Sequence, residues 1–166
     1  MGLCTLGLIA IKKNSRRFPG KNFYKYKGAE LWRHNYEILK SVCSEVLVAS
    51  DVPLDVPYIP RGENVDPEEP IFNVWKRLYN EIQEPAAAVV MCLANVVDLD
   101  PNAINKAIYM LKTTDLKEIR GFDLKGQENG LIVARPEIFK KQELSTYQGA
   151  IFSNAREIHY KKELKR

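Results

Sequence analysis

The chain has 166 residues, 45% of them hydrophobic and 28% charged, which suits one globular domain and excludes wholesale disorder. Lys and Arg number 25 against 21 Asp and Glu, and the resulting +4 is a weak pointer to anionic partners. No run approaches the roughly 20 apolar residues that span a bilayer, residues 1–11 lack a basic leader, and the three cysteines have no metal-ligand spacing. The expectation is a reduced, cytoplasmic protein with no nucleic-acid or membrane partner.

Residues 3–11 read as a buried strand, short and continuously apolar, cut off by Lys12-Lys13-Asn14-Ser15. A loop punctuated by Pro19-Gly20 follows. The stretch 30–41 reads as an amphipathic helix, with Leu31, Tyr36 (or Asn35), Ile38 and Leu39 on its apolar side. Residues 45–49 form a second strand ending at Ser50-Asp51, and 56–59 a short third one restricted to an edge by Pro53, Pro57 and Pro60. The periodicity of Ile71, Val74, Trp75, Leu78 and Ile82 predicts a helix over 70–82. The run 86–93 is the most buried-looking strand. Asp100 and Pro101 then suit the N-cap and first position of a helix reaching about Lys112. Strands near 119–124 and 131–134, a short helix from Pro136, and late strands at 150–152 and 156–159 complete the chain.

Strands alternating with helices predict one three-layer α/β/α domain over 1–166, Rossmann-like, with a mixed, mostly parallel sheet. Ligands bind such sheets beyond the carboxyl ends of the strands. Three loops therefore share one rim: 12–22, Ser50-Asp51, and 94–98.

Every charged residue from Lys12 to Lys27 is basic, while 51–84 is mostly acidic and 161–166 is basic apart from Glu163. The segment from Ile11 to Asn22 has the layout of an anion cradle, with cations beside backbone amides freed by an irregular loop. It holds a single glycine, so it is neither a P-loop nor a dinucleotide fingerprint. Composition alone suits a phosphate site and an exposed basic loop equally well.

The loop resembles the N-terminal signature of the acylneuraminate-type cytidylyltransferases, written A-R-x-G-S-x-R-x-P-x-K-N. Ser15, Arg17, Pro19, Lys21 and Asn22 match in register, while Lys12 stands for the arginine and Asn14 for the glycine. Val46 to Asp51 is similar to the family's second strand, Ile59-Pro60-Arg61-Gly62 to its arginine loop, and Glu128-Asn129-Gly130-Leu131-Ile132 to its E-N-G-x-I strand. Glu157 to Leu164 falls where the family has a D-I-D-x-x-x-D-L-like ending.

The resemblance implies the nucleotide-diphospho-sugar transferase type of fold and the transfer of CMP from CTP to a sugar or sugar-acid hydroxyl, with release of pyrophosphate. It implies catalytic roles at the triphosphate for Lys12, Arg17 and Lys21. Nucleotide contacts are implied for Ile11, Ser15, Asn22, Ser50, Asp51 and Arg61. The loop 93–97 lacks the family's polar and proline pattern, and Asn95 there is expected to contact nucleotide or substrate by hydrogen bonding, not to act as a base. It also implies Mg2+, with Glu157 and His159 in place of a carboxylate pair. Residues two apart on a strand face the same way, but imidazole suits Mn-, Zn- or Ni-like ions better than Mg2+.

The region around 112–127 is shorter than in the family, where it carries substrate contacts and a dimerisation element. A homodimer, a monomer and a site completed by another subunit all stay open. So does a degenerate member that binds nucleotide or a partner without catalysis.

Overall fold

A continuously apolar run needs cover on both faces, and β1 (Thr5–Ile11) has it, being buried along its whole length. The computed structural model describes residues 4–13, 15, 17–61, 70–82, 85–140 and 148–165. Asn14, Arg16 and Gly62, and the start of the predicted first strand at Leu3, lie outside these.

After β1 come a 3-10 turn (Lys21–Phe23), a small hairpin of β2 (Lys25–Tyr26) and β3 (Ala29–Glu30), and α1 (Leu31–Val42). The chain continues through β4 (Glu45–Ser50), β5 (Ile59–Pro60), α2 (Ile71–Asn80), β6 (Ala88–Leu93), β7 (Val96–Val97) and α3 (Pro101–Thr113). It then forms β8 (Glu118–Phe122), β9 (Glu128–Ala134), a 3-10 turn (Pro136–Phe139), β10 (Gln148–Phe152), β11 (Arg156–Glu157) and a terminal 3-10 segment (Lys161–Lys165).

Seven strands make one sheet in the order β10-β8-β9-β6-β1-β4-β5. Neighbours run parallel except at β9, which is antiparallel to both β6 and β8. The amino end of β9 therefore lies at the rim where the other strands end.

Strand alternation divides the core into two layers. Leu6, Leu8 and Ala10 pack with Val89 and Met91 against Val74, Trp75 and Leu78 of α2. Ile9, Ile11, Val90 and Cys92 face the opposite side, where Trp32, Tyr36 and Leu39 of α1 meet Ile104, Ala107 and Leu111 of α3. The result is the expected three-layer α/β/α arrangement.

The helices follow their predicted signals closely. The Asp100 side chain accepts the Asn102 N–H at 2.8 Å, with Pro101 next in the chain, so α3 starts where its cap requires. The predicted third strand shifts from 56–59 to Ile59–Pro60, pairing with Ala49 and Ser50. Pro53 and Pro57 lack N–H donors, so a ladder forms only beyond them, at the sheet edge where proline is tolerated.

Two short pairings were not foreseen, although β11 lies within the strand expected at 156–159 and keeps only Arg156–Glu157 of it. The β2–β3 hairpin turns at Lys27 (φ 47°) and Gly28 (φ 90°), and β7 pairs with β11. Strands of two residues are too short to show a period. The stretch 112–127 is taken up by the end of α3, by β8, and by a turn in which Asp123 accepts the N–H groups of Lys125 and Gln127. Among the described residues no helix is long and apolar enough to cross a membrane.

Candidate functional site

At the end of β1, fully buried Ile11 leaves the sheet and the basic loop begins. The Lys13 N–H donates to Asp51 Oδ1 at 2.9 Å, joining this loop to the one after β4. Ser50 is buried, and its hydroxyl donates to the Val52 carbonyl at 2.7 Å. The Arg61 N–H donates to the Ser50 carbonyl at 2.9 Å, so the segment after β5 reaches the same rim.

The basic loop closes on itself. The Gly20 N–H donates to the Lys13 carbonyl at 3.0 Å, and Gly20 adopts φ 70°, a left-handed conformation that favours glycine. The 3-10 turn carrying Lys21 and Asn22 starts there. Buried Asn22 donates its amide to the Lys12 carbonyl at 2.9 Å, and among the described residues its Oδ1 has no partner. Phe18 anchors the loop by packing into a small cluster with Leu31, Val97 and Ile158. Arg17 and Lys21 precede and follow this apolar anchor in the chain.

The opposite wall comes from distant parts of the chain. Asn35 of α1, 1% exposed, donates to the carbonyls of Leu93 and Ala94 at 3.2 Å and of Val96 at 2.9 Å, shaping the β6–β7 turn. The tail returns here because β11 pairs antiparallel with β7, Glu157 opposite Val96. Ile158 turns inward and is fully buried, while Glu157 and His159 face the cleft. Glu163 Oε2 accepts the N–H groups of His159 at 2.8 Å and Tyr160 at 2.6 Å, folding the tail back on itself. Burial raises the Glu163 carboxyl, but those two N–H groups, with the charges of His159 and Lys162, bring it below the usual glutamate value.

Between the walls, Ser15, Arg17, Lys21, Glu157 and His159 line a cleft of about 340 Å³. Five residues expected at the site from two ends of the sequence therefore meet in one place. Burial pushes the Lys21 ammonium below its ordinary value; Glu157 opposes this, and the charges of Arg17 and Lys12 add to it. Arg17 and Lys12 thus oppose the Lys21 charge while Glu157 supports it, and an anion beside the three cations would be favourable.

The other expected residues occupy different positions. Ile11, Asn22, Ser50 and Asn95 are buried, and the side-chain amide nitrogens of Asn22 and Asn95 and the Ser50 hydroxyl bond within the protein. Asp51 is exposed and holds Lys13, while Lys12 and Arg61 are half-buried at the rim. Sequence reasoning missed the parts played by Asn35 and Glu163. An asparagine on an apolar helix face was the one visible signal for Asn35.

The fit to a divalent ion rests on two side chains. Glu157 Oε2 lies 3.6 Å from His159 Nε2, and Glu157 Oε1 accepts the Asn95 amide at 3.1 Å. Among the described residues no group of three His, Cys, Asp or Glu side chains converges. One carboxylate oxygen and one imidazole nitrogen fit an ion that takes most of its shell from water and phosphate oxygens. The imidazole favours a softer ion than Mg2+.

No family model and no curated protein sequence matches the chain. Solved structures do. The chain is similar to a CMP:2-keto-3-deoxy-manno-octonic acid synthetase complexed with CTP, with TM-score 0.78 and 12% identity over 98% of this chain and 95% of the other. It is similar to an inositol-1-phosphate CTP transferase from T. maritima, with TM-score 0.68 and 10% identity over 98% and 92%. A third likeness is to a Mycobacterium tuberculosis H37Rv protein in complex with manganese, with TM-score 0.65 and 8% identity over 90% and 89%. At such identities the likeness establishes the fold, a mixed α/β/α sheet shared with these structures, and leaves the activity to the site itself.

Proposed function

We propose that this single domain is a cytidylyltransferase-like nucleotidyltransferase, which binds CTP in the cleft and transfers CMP to the hydroxyl of a sugar or sugar acid. The observation that carries the reading is the convergence of Arg17 and Lys21 with Glu157 and His159 around a cleft of about 340 Å³. Its location at the carboxyl rim of a nucleotidyltransferase sheet supports it. The match of Ser15, Arg17, Pro19, Lys21 and Asn22 to the acylneuraminate-type signature supports the cytidine-specific form.

In this reading Lys12, Arg17 and Lys21 neutralise the triphosphate, and Ser15 donates a hydrogen bond to it. The acceptor hydroxyl gives up its proton to water and its oxygen bonds to the α-phosphorus as the bridging bond to the β-phosphate breaks, and pyrophosphate leaves. Such chemistry is served mainly by positioning and charge stabilisation. Glu157 and His159 would hold a divalent ion, Mg2+ or Mn2+, which supplies further charge neutralisation when bound. Ile11, Asn22 and Ser50 shape the floor from within the protein, while Asp51 fixes the loop. Arg61 approaches from the β5 side.

A second reading, a member that binds nucleotide without turnover, is favoured by one observation. The only two ligating side chains facing the cleft among the described residues are one carboxylate and one imidazole. Isothermal titration with CTP, with Mg2+ or Mn2+ present, tests the binding common to both readings. Pyrophosphate release with a panel of sugar acids separates them. No binding of any nucleoside triphosphate at high micromolar protein would remove both.

A further inference from the structure

We infer that Asn95 is a positioning residue for the Glu157 carboxylate, holding one oxygen inside the protein and leaving the other to face His159 and the cleft. The inference deepens the proposed function and rests on it for the identity of the ligand. Its structural part stands on geometry alone.

Asn95 is 4% exposed, so its amide works beneath the cleft surface. Nδ2 donates to the Ile158 carbonyl at 2.7 Å and to Glu157 Oε1 at 3.1 Å, which uses both amide hydrogens. The Asn95 carbonyl accepts the Ile158 N–H at 3.0 Å. One residue thus binds the two-residue stretch 157–158 three times, extending the β7–β11 ladder with a side chain where the strands have ended.

Asn35 completes the clamp from below. Its amide reaches the carbonyls of Leu93, Ala94 and Val96, which flank Asn95 on both sides. The turn carrying Asn95 is therefore fixed to α1 before it grips the tail. With Oε1 held, Glu157 Oε2 stays 3.6 Å from His159 Nε2, and the carboxylate charge stays within reach of Lys21. Neither aspartate nor alanine serves. Aspartate would set a second carboxylate against Glu157 and the Ile158 carbonyl, and alanine would release both acceptors.

The first test needs no ligand. NMR on the intact chain should show Asn95 side-chain amide protons protected from solvent exchange and shifted by Glu157→Ala. Exchange at the solvent rate, or indifference to Glu157→Ala, overturns the inference. The second is a double-mutant cycle read by titration with CTP and Mn2+. Asn95→Ala should weaken binding about tenfold in the parent, equivalent to about 1.4 kcal/mol, but less than about twofold in the Glu157→Ala background. Equal losses in both backgrounds would mean a merely structural role and overturn it. Should the parent bind no CTP, the nucleotide reading falls, and the amide exchange still decides for or against Asn95.

Discussion

The two walls of the cleft are built in opposite ways. The cation wall is local: residues 13–23 close through short backbone bonds, with Gly20 at the turn and Phe18 as anchor. The tail wall is assembled over long distances, since Glu157 and His159 take their places through Asn95, β7 and, at one remove, Asn35. Charge is thus presented by a loop closed by its own backbone bonds and tied to the rest through Phe18 and Lys13. Its counter-charge depends on several segments docking correctly.

That contrast predicts where damage is greatest. Ile158 is fully buried in the cluster that also holds Phe18, so it is shared by both walls. Ile158→Ala should cost about 2–5 kcal/mol, read as a fall in denaturant midpoint, and should weaken triphosphate binding as well. Lost binding without lost stability would show that the two walls are independent.

Lys21→Ala isolates the cation wall. A charged hydrogen-bond donor is worth about 1.5–3 kcal/mol, so CTP affinity should fall roughly tenfold to more than a hundredfold in titration calorimetry. Thermal stability should hold or rise slightly, because a partly buried cation is removed. Unchanged affinity would refute the assigned cradle.

The same contrast explains what the sequence could disclose. The cation wall is contiguous, and its register of Ser15, Arg17, Lys21 and Asn22 is visible in one line of text. Glu157 and His159 were legible too from the spacing expected of a strand, although β11 ends at Glu157 and the burial of Ile158 between them is what leaves both at the cleft. The bonds of Asn95 and Asn35 were not, since each reaches a partner about 60 residues away with no pattern to announce it. Asn95 looked like a ligand-binding group, and the structure ties its amide to the tail. For the fold, helix caps and apolar runs placed the major elements. The two-residue strands and the slip of β5 past its prolines required tertiary pairing.

Smaller effects sharpen the comparison. Gly20 has φ 70° and nothing within 4 Å of an added Cβ, so Gly20→Ala tests backbone conformation alone. A left-handed alanine should cost about 1–2 kcal/mol, seen by chemical denaturation, with a weaker cradle and an intact tail. A loss above that range would mean that the loop reports on the whole rim.

Glu163 gives the smallest effect and a pH signature. Its folded-state carboxyl lies below the ordinary value of 4.5, so its bonds to the tail stabilise the fold above that value. The contribution disappears as pH falls through the lowered folded value. The melting temperature of the parent should therefore fall more steeply below about pH 4.5 than that of Glu163→Gln. Parallel curves would show that the tail turn is held by other groups.

One consequence follows from the strand order. β10 lies at the far edge of the sheet, yet the residues after it must cross the rim to pair with β7, beside the centre. The docking surface for that crossing exists only after β6, β9 and α1 have come together. The tail should thus be the last segment to settle during folding and among the first to open in native-state hydrogen exchange. Competence of the cleft would then be governed by a local opening equilibrium rather than by the stability of the whole domain. An anion bridging the walls would tilt that equilibrium toward closure.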